Sequence, residues 1–288
     1  MQSPLVSVII PCYNQGQYID EAVNSVLAQS YQNLEIIIVN DGSSDLETNQ
    51  ILDSYSKPKT IVTHTINQGL SSARNYGIDK SNGTYILPLD ADDKIGNIYI
   101  EKAVELLENN NNLGIVYCEA EFFGYQTGKW ELNEYKFPEI LLDNVIFCSG
   151  LFRKSDWHKI GGYNTKMIYG WEDYDFWLSI IEMGRGVYRI PDILFFYRRK
   201  KESMTESMNE EKFTYSYTEI FKNHLEIYIQ NINTVFAEVI RSRAANSNLQ
   251  HEIINLQHEI EDVKNSKFWQ MRTIWLRFRS FTNFISRI

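Results

Sequence analysis

Tyr85-Ile86-Leu87-Pro88-Leu89-Asp90-Ala91-Asp92-Asp93 runs from a short apolar stretch straight into three carboxylates within four positions. An apolar run of this length with a polar end reads as a buried strand, and open α/β sheets bind ligands outside the carboxyl ends of their strands. Carboxylates crowded this closely repel one another unless something positive sits among them, and the only basic neighbour in sequence is Lys94. Oxygen ligands at i and i+2 suit a hard cation such as Mn2+ or Mg2+, which usually retains phosphate and water in its shell. Asp90 and Asp92 are therefore candidate metal ligands beside a diphosphate, and small Ala91 leaves room for a sugar or phosphate. A loop that simply solvates its acids is the plainer alternative.

Outward from this stretch, the chain through about Glu119 alternates β-branched runs with amphipathic segments, which predicts an α/β fold with a mostly parallel sheet covered by helices. Strands are expected at Val6–Ile10, Leu34–Val39, Thr60–Thr65, Thr84–Leu89 and Gly114–Tyr117. Helices are expected at Tyr18–Gln29, Leu46–Ser56, Leu70–Lys80 and Ile98–Glu108, with Asp45 and Asn97 as N-caps. From Phe122 to Phe152 the pattern loosens into a turn-rich, aromatic stretch of the kind that could serve an acceptor. Glu172–Met183 reads as a helix with an apolar face, and Val187–Ile190 and Ile193–Tyr197 return to strand character.

Other polar groups also follow strands. Pro11-Cys12-Tyr13-Asn14 comes after the first strand and Asn40-Asp41-Gly42-Ser43-Ser44-Asp45 after the second. Asp41 can accept from a base N–H while Tyr13 offers a ring surface; the alternative is a plain Asp-Gly turn with a helix cap. Asn67-Gln68-Gly69 opens the third helix, where Gly69 lets backbone approach a ligand. Arg74, one turn in, could meet phosphate or orient Asp41, or simply face solvent. Glu172-Asp173 begins a helix whose dipole favours ionised carboxylates, so one of them can serve as a base, unless both merely complement that dipole. Tyr197-Arg198-Arg199-Lys200-Lys201 places four positive charges after the last strand, where a basic loop could close on a diphosphate or remain solvated.

The chain has 288 residues, 43% of them hydrophobic, and a net charge of −9, a balance that argues against nucleic-acid binding. Residues 264–288 carry six basic residues and no acid, which leaves −15 on the remainder. Three dispersed cysteines without CxxC spacing favour neither disulfides nor zinc and point to a reducing cytoplasm. The N-terminus has no leader-like pattern and no stretch approaches the ~18 apolar residues of a membrane span. A cytoplasmic protein, soluble or peripheral on the inner face of the cytoplasmic membrane, is expected.

Taken in order, Val8-Ile9-Ile10-Pro11-Cys12-Tyr13-Asn14, Val39-Asn40-Asp41-Gly42-Ser43-Ser44-Asp45, Asn67-Gln68-Gly69 with Ala73-Arg74-Asn75, Asp90-Ala91-Asp92-Asp93 and Trp171-Glu172-Asp173 closely resemble family 2 glycosyltransferases. The resemblance covers roughly the first two hundred residues. It implies the GT-A fold, a Rossmann-like α/β/α sandwich, at 1–207, with a nucleotide-binding half to about 120 and an acceptor-binding half from about 121. Residues 208–288 would form a helical extension. It implies an inverting, metal-dependent transfer of one sugar from a nucleotide-diphosphate donor, most often a UDP-sugar, to a hydroxyl of a saccharide or lipid-linked saccharide. By the same resemblance Pro11, Tyr13, Asn14 and Asp41 would hold the nucleoside, and Arg74 the base or diphosphate. Asp90 and Asp92 would bind ribose and Mn2+ or Mg2+, Asp173 would deprotonate the acceptor, and Glu172 would help position it. Many relatives have a His where this chain has Lys200, so a metal ligand is missing there and Lys200 would instead meet phosphate directly. The Gln-x-x-Arg-Trp motif and membrane spans of processive synthases are absent, which favours single-sugar addition.

Two other functions share some of these features. Phosphatases of the haloacid dehalogenase type also place Asp-x-Asp after a strand, with the first Asp as nucleophile, but continue into a Thr-containing turn where this chain has Asp93-Lys94. A non-catalytic nucleotide-sugar-binding scaffold assembling through C-terminal helices is the third reading. There, Leu249, Ile253, Leu256, Ile260 and Val263 follow a/d spacing, compatible with self-association or with packing back on the domain. The tail interleaves Phe268, Trp269, Ile274, Trp275, Phe278, Phe281, Phe284 and Ile285 with its basic residues, a composition suited to an anionic membrane interface or to a docked helix.

Overall fold

The computed structural model describes residues 3–200 and 209–265. Contacts divide the chain into two compact units, Met1–Asn231 and Ile232–Ile288.

The first unit begins as strand–helix alternation: β1 (Val6–Cys12), α1 (Ile19–Leu27), β2 (Leu34–Asp41), α2 (Leu46–Asp53), β3 (Thr60–Thr65), α3 (Leu70–Lys80) and β4 (Tyr85–Pro88). After the acidic turn come β5 (Lys94–Ile95), α4 (Tyr99–Asn109), β6 (Leu113–Gly124), β7 (Gly128–Trp130), β8 (Leu151–Arg153), α5 (Lys154–Ile160), α6 (Glu172–Glu182) and β9 (Gly186–Arg199). The sheet order is β3-β2-β1-β4-β8-β6-β9-β5, with β7 paired to β6. β1 pairs in parallel with β2 and β4, and β2 with β3. β8 runs antiparallel to both β4 and β6.

Every residue of β1 is buried, as a parallel strand covered by helices on both faces requires. Each fully buried Val or Ile contributes roughly 1.5–3 kcal/mol of transfer free energy, an upper bound because denatured chains already hide some surface. α3 lies so close to this sheet that a Cβ on Gly77 would sit 2.5 Å from Ile9 Cγ2. That contact fixes how near the third helix, and the loop preceding it, come to the strand ends.

Most expected elements fall within a few residues of their observed ends, and Asp45 caps α2 by accepting from the Glu47 and Thr48 amides. Asn97 does not cap α4: Ile98 holds that position without a side-chain bond. The two strands expected at Val187–Ile190 and Ile193–Tyr197 are one strand, β9, whose register against β6 shifts around Cys118–Ala120. The irregularity absorbs Pro191, which has no N–H to give the ladder.

α7 (Glu210–Asn223) and α8 (Leu225–Gln230) complete this unit. Tyr228 donates its hydroxyl to the Leu141 carbonyl at 2.6 Å, and Asn223 donates to the Asp175 carboxylate at 2.7 Å. The second unit contains α9 (Ile232–Asn265), on which Leu249, Ile253, Leu256 and Ile260 are all half or more exposed. Among the described residues no helix is long and apolar enough to cross a membrane. The basic aromatic tail from Ser266 onward lies outside them.

Candidate active site

A cleft of about 530 Å3 opens at the carboxyl ends of the central strands. β1 delivers Pro11 and Tyr13 to its wall, β2 delivers Asp41, the loop before α3 delivers Asn67 and Gly69, the turn after β4 delivers Asp90 and Asp92, and β9 delivers Arg198 and Lys200. Glu172, at the first turn of α6, completes the acidic side. Strands that end together bring residues as far apart in the chain as Pro11 and Lys200 into one cavity.

Asp41 is almost fully buried and already engaged. Its two carboxylate oxygens accept from the Gln68 and Gly69 amides, each at 3.0 Å, and Oδ1 also accepts from the Thr65 hydroxyl at 3.3 Å. The Asp therefore holds the 67–69 loop against β2. Gly42, with φ +62°, makes this passage feasible, since a Cβ there would lie 2.4 Å from the Asn67 nitrogen. Tyr13, 45% exposed, presents its ring beside this frame. Asn14 does not line the cleft. Its side-chain carbonyl oxygen accepts from the Asp45 amide at 2.9 Å and its backbone N–H donates to Ser43 at 3.0 Å, tying the two strand-end loops together.

Arg74 departs furthest from the sequence reading. It does not reach Asp41 and is not solvent-facing: it is fully buried, with Nη2 2.7 Å from Asp90 Oδ1 and Nη1 2.5 Å from Glu172 Oε1. Burial opposes its charge, but the two carboxylates outweigh that and hold its pKa well above the ordinary value. The guanidinium thus crosslinks the turn after β4 to the start of α6. Ala91 is likewise fully buried and lies behind the cavity wall.

The acidic turn splits into three different environments. Asp90 faces Arg74. Asp92 pairs with Lys200 at 2.5 Å, yet burial, aided by Asp90, keeps its pKa raised, so the cation does not fully compensate the site. Asp93, unassigned from sequence, is buried at 1% exposure and accepts from the Arg198 amide at 2.9 Å, while Arg198 Nε donates to the Asp92 carbonyl. These bonds clamp the turn to β9. Burial and the neighbouring acids push Asp93 well above the usual carboxylate range.

Asp173 sits half-buried beside this network, accepting from the Tyr174 amide at 2.7 Å and from Asn144 at 3.4 Å. Burial first, and the charge of Glu172 second, raise its pKa to about 7 against the opposing pull of Arg74. A carboxylate in that range can take and return a proton at neutral pH.

The donor atoms suit a hard divalent ion. Asp90, Asp93 and Cys148 bring ligand atoms within 4.8 Å of one another, and Asp93 Oδ2 is buried with no hydrogen-bond partner among the described residues. Burial, with the charge of Asp90, raises the Cys148 thiol well above its usual range, and a hard divalent ion prefers the oxygen donors of Asp90 and Asp93 over sulfur. Sequence reasoning missed Thr165, Met167 and Ile168, which wall the cleft from the loop before Gly170. Their residue types carry no chemical signal; only the approach of that loop to β1 and β4 identifies them.

The model for "Glycosyl transferase family 2" matches residues 7–160. An uncharacterized glycosyltransferase of Haemophilus influenzae is 32% identical over 231 residues, 73% of this chain and 70% of that protein. The uncharacterized glycosyltransferase EpsJ of Bacillus subtilis is 31% identical over 225 residues, 70% of this chain and 63% of its own length. Among solved structures, S. aureus TarS 1-349 in complex with UDP-GlcNAc superposes with a TM-score of 0.60 at 18% identity, covering 78% of this chain and 72% of that one. The same fragment in complex with UDP gives 0.60 at 19% identity, over 78% and 65%. A family match across the strand-end motifs, with the same α/β architecture in the TarS structures, settles the class: this chain is a transferase belonging to glycosyl transferase family 2.

Proposed function

We propose that the protein transfers a single sugar, with inversion, from a nucleotide-diphosphate donor to a hydroxyl of a saccharide or lipid-linked saccharide, with Mn2+ or Mg2+ as cofactor. One observation carries the mechanism. A carboxylate with a pKa near 7, Asp173, follows Glu172, which lines the cleft together with Asp90 and Asp92; Asp173 itself is not among the lining residues and would reach an acceptor from beside them. TarS in complex with UDP and with UDP-GlcNAc supports a UDP-sugar as donor.

Tyr13 and Asp41 frame the nucleoside end of the cleft, and Asn67 and Gly69 offer a glycine-opened backbone edge. Asp90 and Asp92 would hold the divalent ion, Asp92 by giving up Lys200, although it is Asp93 that stands with Asp90 in the group of close donor atoms; the ion would supply positive charge to the departing diphosphate. Lys200 and Arg198 stand on the same side, and Lys200, paired with Asp92, can exchange that partner for phosphate. Asp173 removes the proton from the acceptor hydroxyl as that oxygen attacks the anomeric carbon, and the nucleoside diphosphate leaves from the opposite face. Single displacement inverts the configuration and forms no sugar–enzyme intermediate. Glu172 acts through Arg74, holding the base and the donor-side turn in register. Phosphatase chemistry through Asp90 fits less well, because the chain belongs to a transferase family and Asp93-Lys94 stands where such phosphatases continue into a Thr-containing turn.

The test is calorimetric and kinetic. Asp92→Ala should weaken Mn2+-dependent UDP binding at least tenfold, while Asp173→Asn should bind UDP as the parent does and lose transfer. Equal UDP affinity in Asp92→Ala and parent, or substantial transfer by Asp173→Asn, overturns the respective assignment. Parent kcat/KM should rise with pH and level off above about 7, because the base must be ionised.

A further inference from the structure

α9 extends for 34 residues, about 51 Å at 1.5 Å per residue, and every residue from Arg241 to Asp262 is exposed. Five of them are large aliphatics, and all but Ile254 fall on one stripe: Leu249, Ile253, Leu256 and Ile260, at 55, 54, 50 and 53% exposure. An isolated helix gains little stability in water from propensity alone, so an apolar stripe of this kind is normally covered. The register of the stripe says by what.

Steps of four and three place Ile253 and Ile260 at a and Leu249 and Leu256 at d. Extending the frame towards the start of α9 puts Asn246, Val239 and Ile232 at a and Ser242 and Val235 at d. β-branched residues at a with Leu at d favour two parallel strands, and a single Asn at a specifies register and dimeric state at some cost in stability. The flanking charges agree. In a parallel in-register pair each g residue meets the e residue five positions on in the other helix, which brings Glu238 to Arg243 and Glu259 to Lys264, opposite charges in both cases. In an antiparallel pair g faces g, and acids at 238, 252 and 259 would face acids.

We propose that α9 is one strand of a parallel, in-register, two-stranded coiled coil, and that its partner is a second copy of this chain. The occupant follows from self-complementarity: β-branched residues at every a position but Asn246, Leu at the d positions 249 and 256, and the opposite-charge pairs Glu238–Arg243 and Glu259–Lys264 are satisfied by the same sequence in parallel. This inference stands independently of the substrate proposal. It concerns assembly, and no catalytic residue enters it.

Multi-angle light scattering of the full chain should give twice the chain mass at micromolar concentration, and Ile253→Lys should return the mass of one chain. Leu256→Cys should form an intermolecular disulfide at its own position under mild oxidation, because parallel in-register strands bring the same d residue face to face. Glu259→Lys should weaken the dimer several-fold, and adding Lys264→Glu should restore it, while cooperative thermal unfolding of the first unit reports that each variant remains folded. A monomeric parent places the stripe against the chain itself and overturns the proposal, as would a trimer or tetramer. Absence of the crosslink in Leu256→Cys, or failure of the charge swap to rescue, overturns the parallel register.

Discussion

At the residue scale, Arg74 separates what a motif names from what a side chain does. Its position invites a role on the ligand, but the guanidinium is fully buried between Asp90 and Glu172. Breaking a buried pair by removing one partner leaves an uncompensated charge and typically costs about 3–5 kcal/mol. Arg74→Ala should therefore lower stability by about that amount in urea unfolding, and lose UDP affinity only through disorder of the turn. A variant that unfolds like the parent but no longer binds UDP would instead mean that Arg74 contacts the donor. Asp173 shows the converse. Its sequence context names an acid at a helix start, while what suits it to the proposed role of base is burial beside Glu172, which brings its pKa to about 7.

At the element scale, the junction between α7 and α8 is clamped to α6 by one imidazole. His224 is 2% exposed, with Nδ1 2.8 Å from Glu182 Oε2 and Nε2 3.4 Å from Asp175 Oδ1. Burial alone would depress its pKa, but the two carboxylates prevail and raise it to about 9. A raised pKa means that the charged form is stabilised by folding. That stability is complete below the unfolded value, about 6.5, and is lost as pH rises through about 9. The thermal midpoint should fall between pH 6.5 and 9, and His224→Gln should flatten that slope; an identical slope in both would remove the clamp from this role. Because α6 begins at Glu172 and Asp173, the clamp also supports the helix that carries the proposed base.

At the scale of the whole molecule, a parallel α9 pair would send both chains onward at the same end, so two copies of the basic aromatic tail would act together. Two linked weak contacts bind more tightly than either alone. We propose that this tail meets an anionic membrane surface, which would suit a lipid-linked acceptor. Truncation at Val263 should abolish sedimentation with anionic vesicles and leave metal-dependent UDP binding intact. Sedimentation unchanged by the truncation would end the membrane reading.

The sequence by itself determined the strand–helix alternation from β1 to β4 and the chemistry along it, because both depend on neighbours in the chain; the short strands β5, β7 and β8 formed only with their partners in the sheet. Aliphatic runs specify strands, Asp45 specifies its own cap, and the acids of the 90–93 turn announce a need for positive charge. It did not determine where that charge comes from. The only local candidate, Lys94, pairs instead with Glu21 at 3.6 Å, and the cations at the turn are Arg74 from α3 and Arg198 and Lys200 from β9. Contacts across 16 and more than a hundred positions leave no trace in local pattern. Nor could the sequence assign Asp93, whose role depends on an amide of a strand it meets only after folding. Tertiary structure decided these matters because burial, which raises Asp92 and Asp173 and makes Arg74 a crosslink, is a property of what surrounds a residue in space.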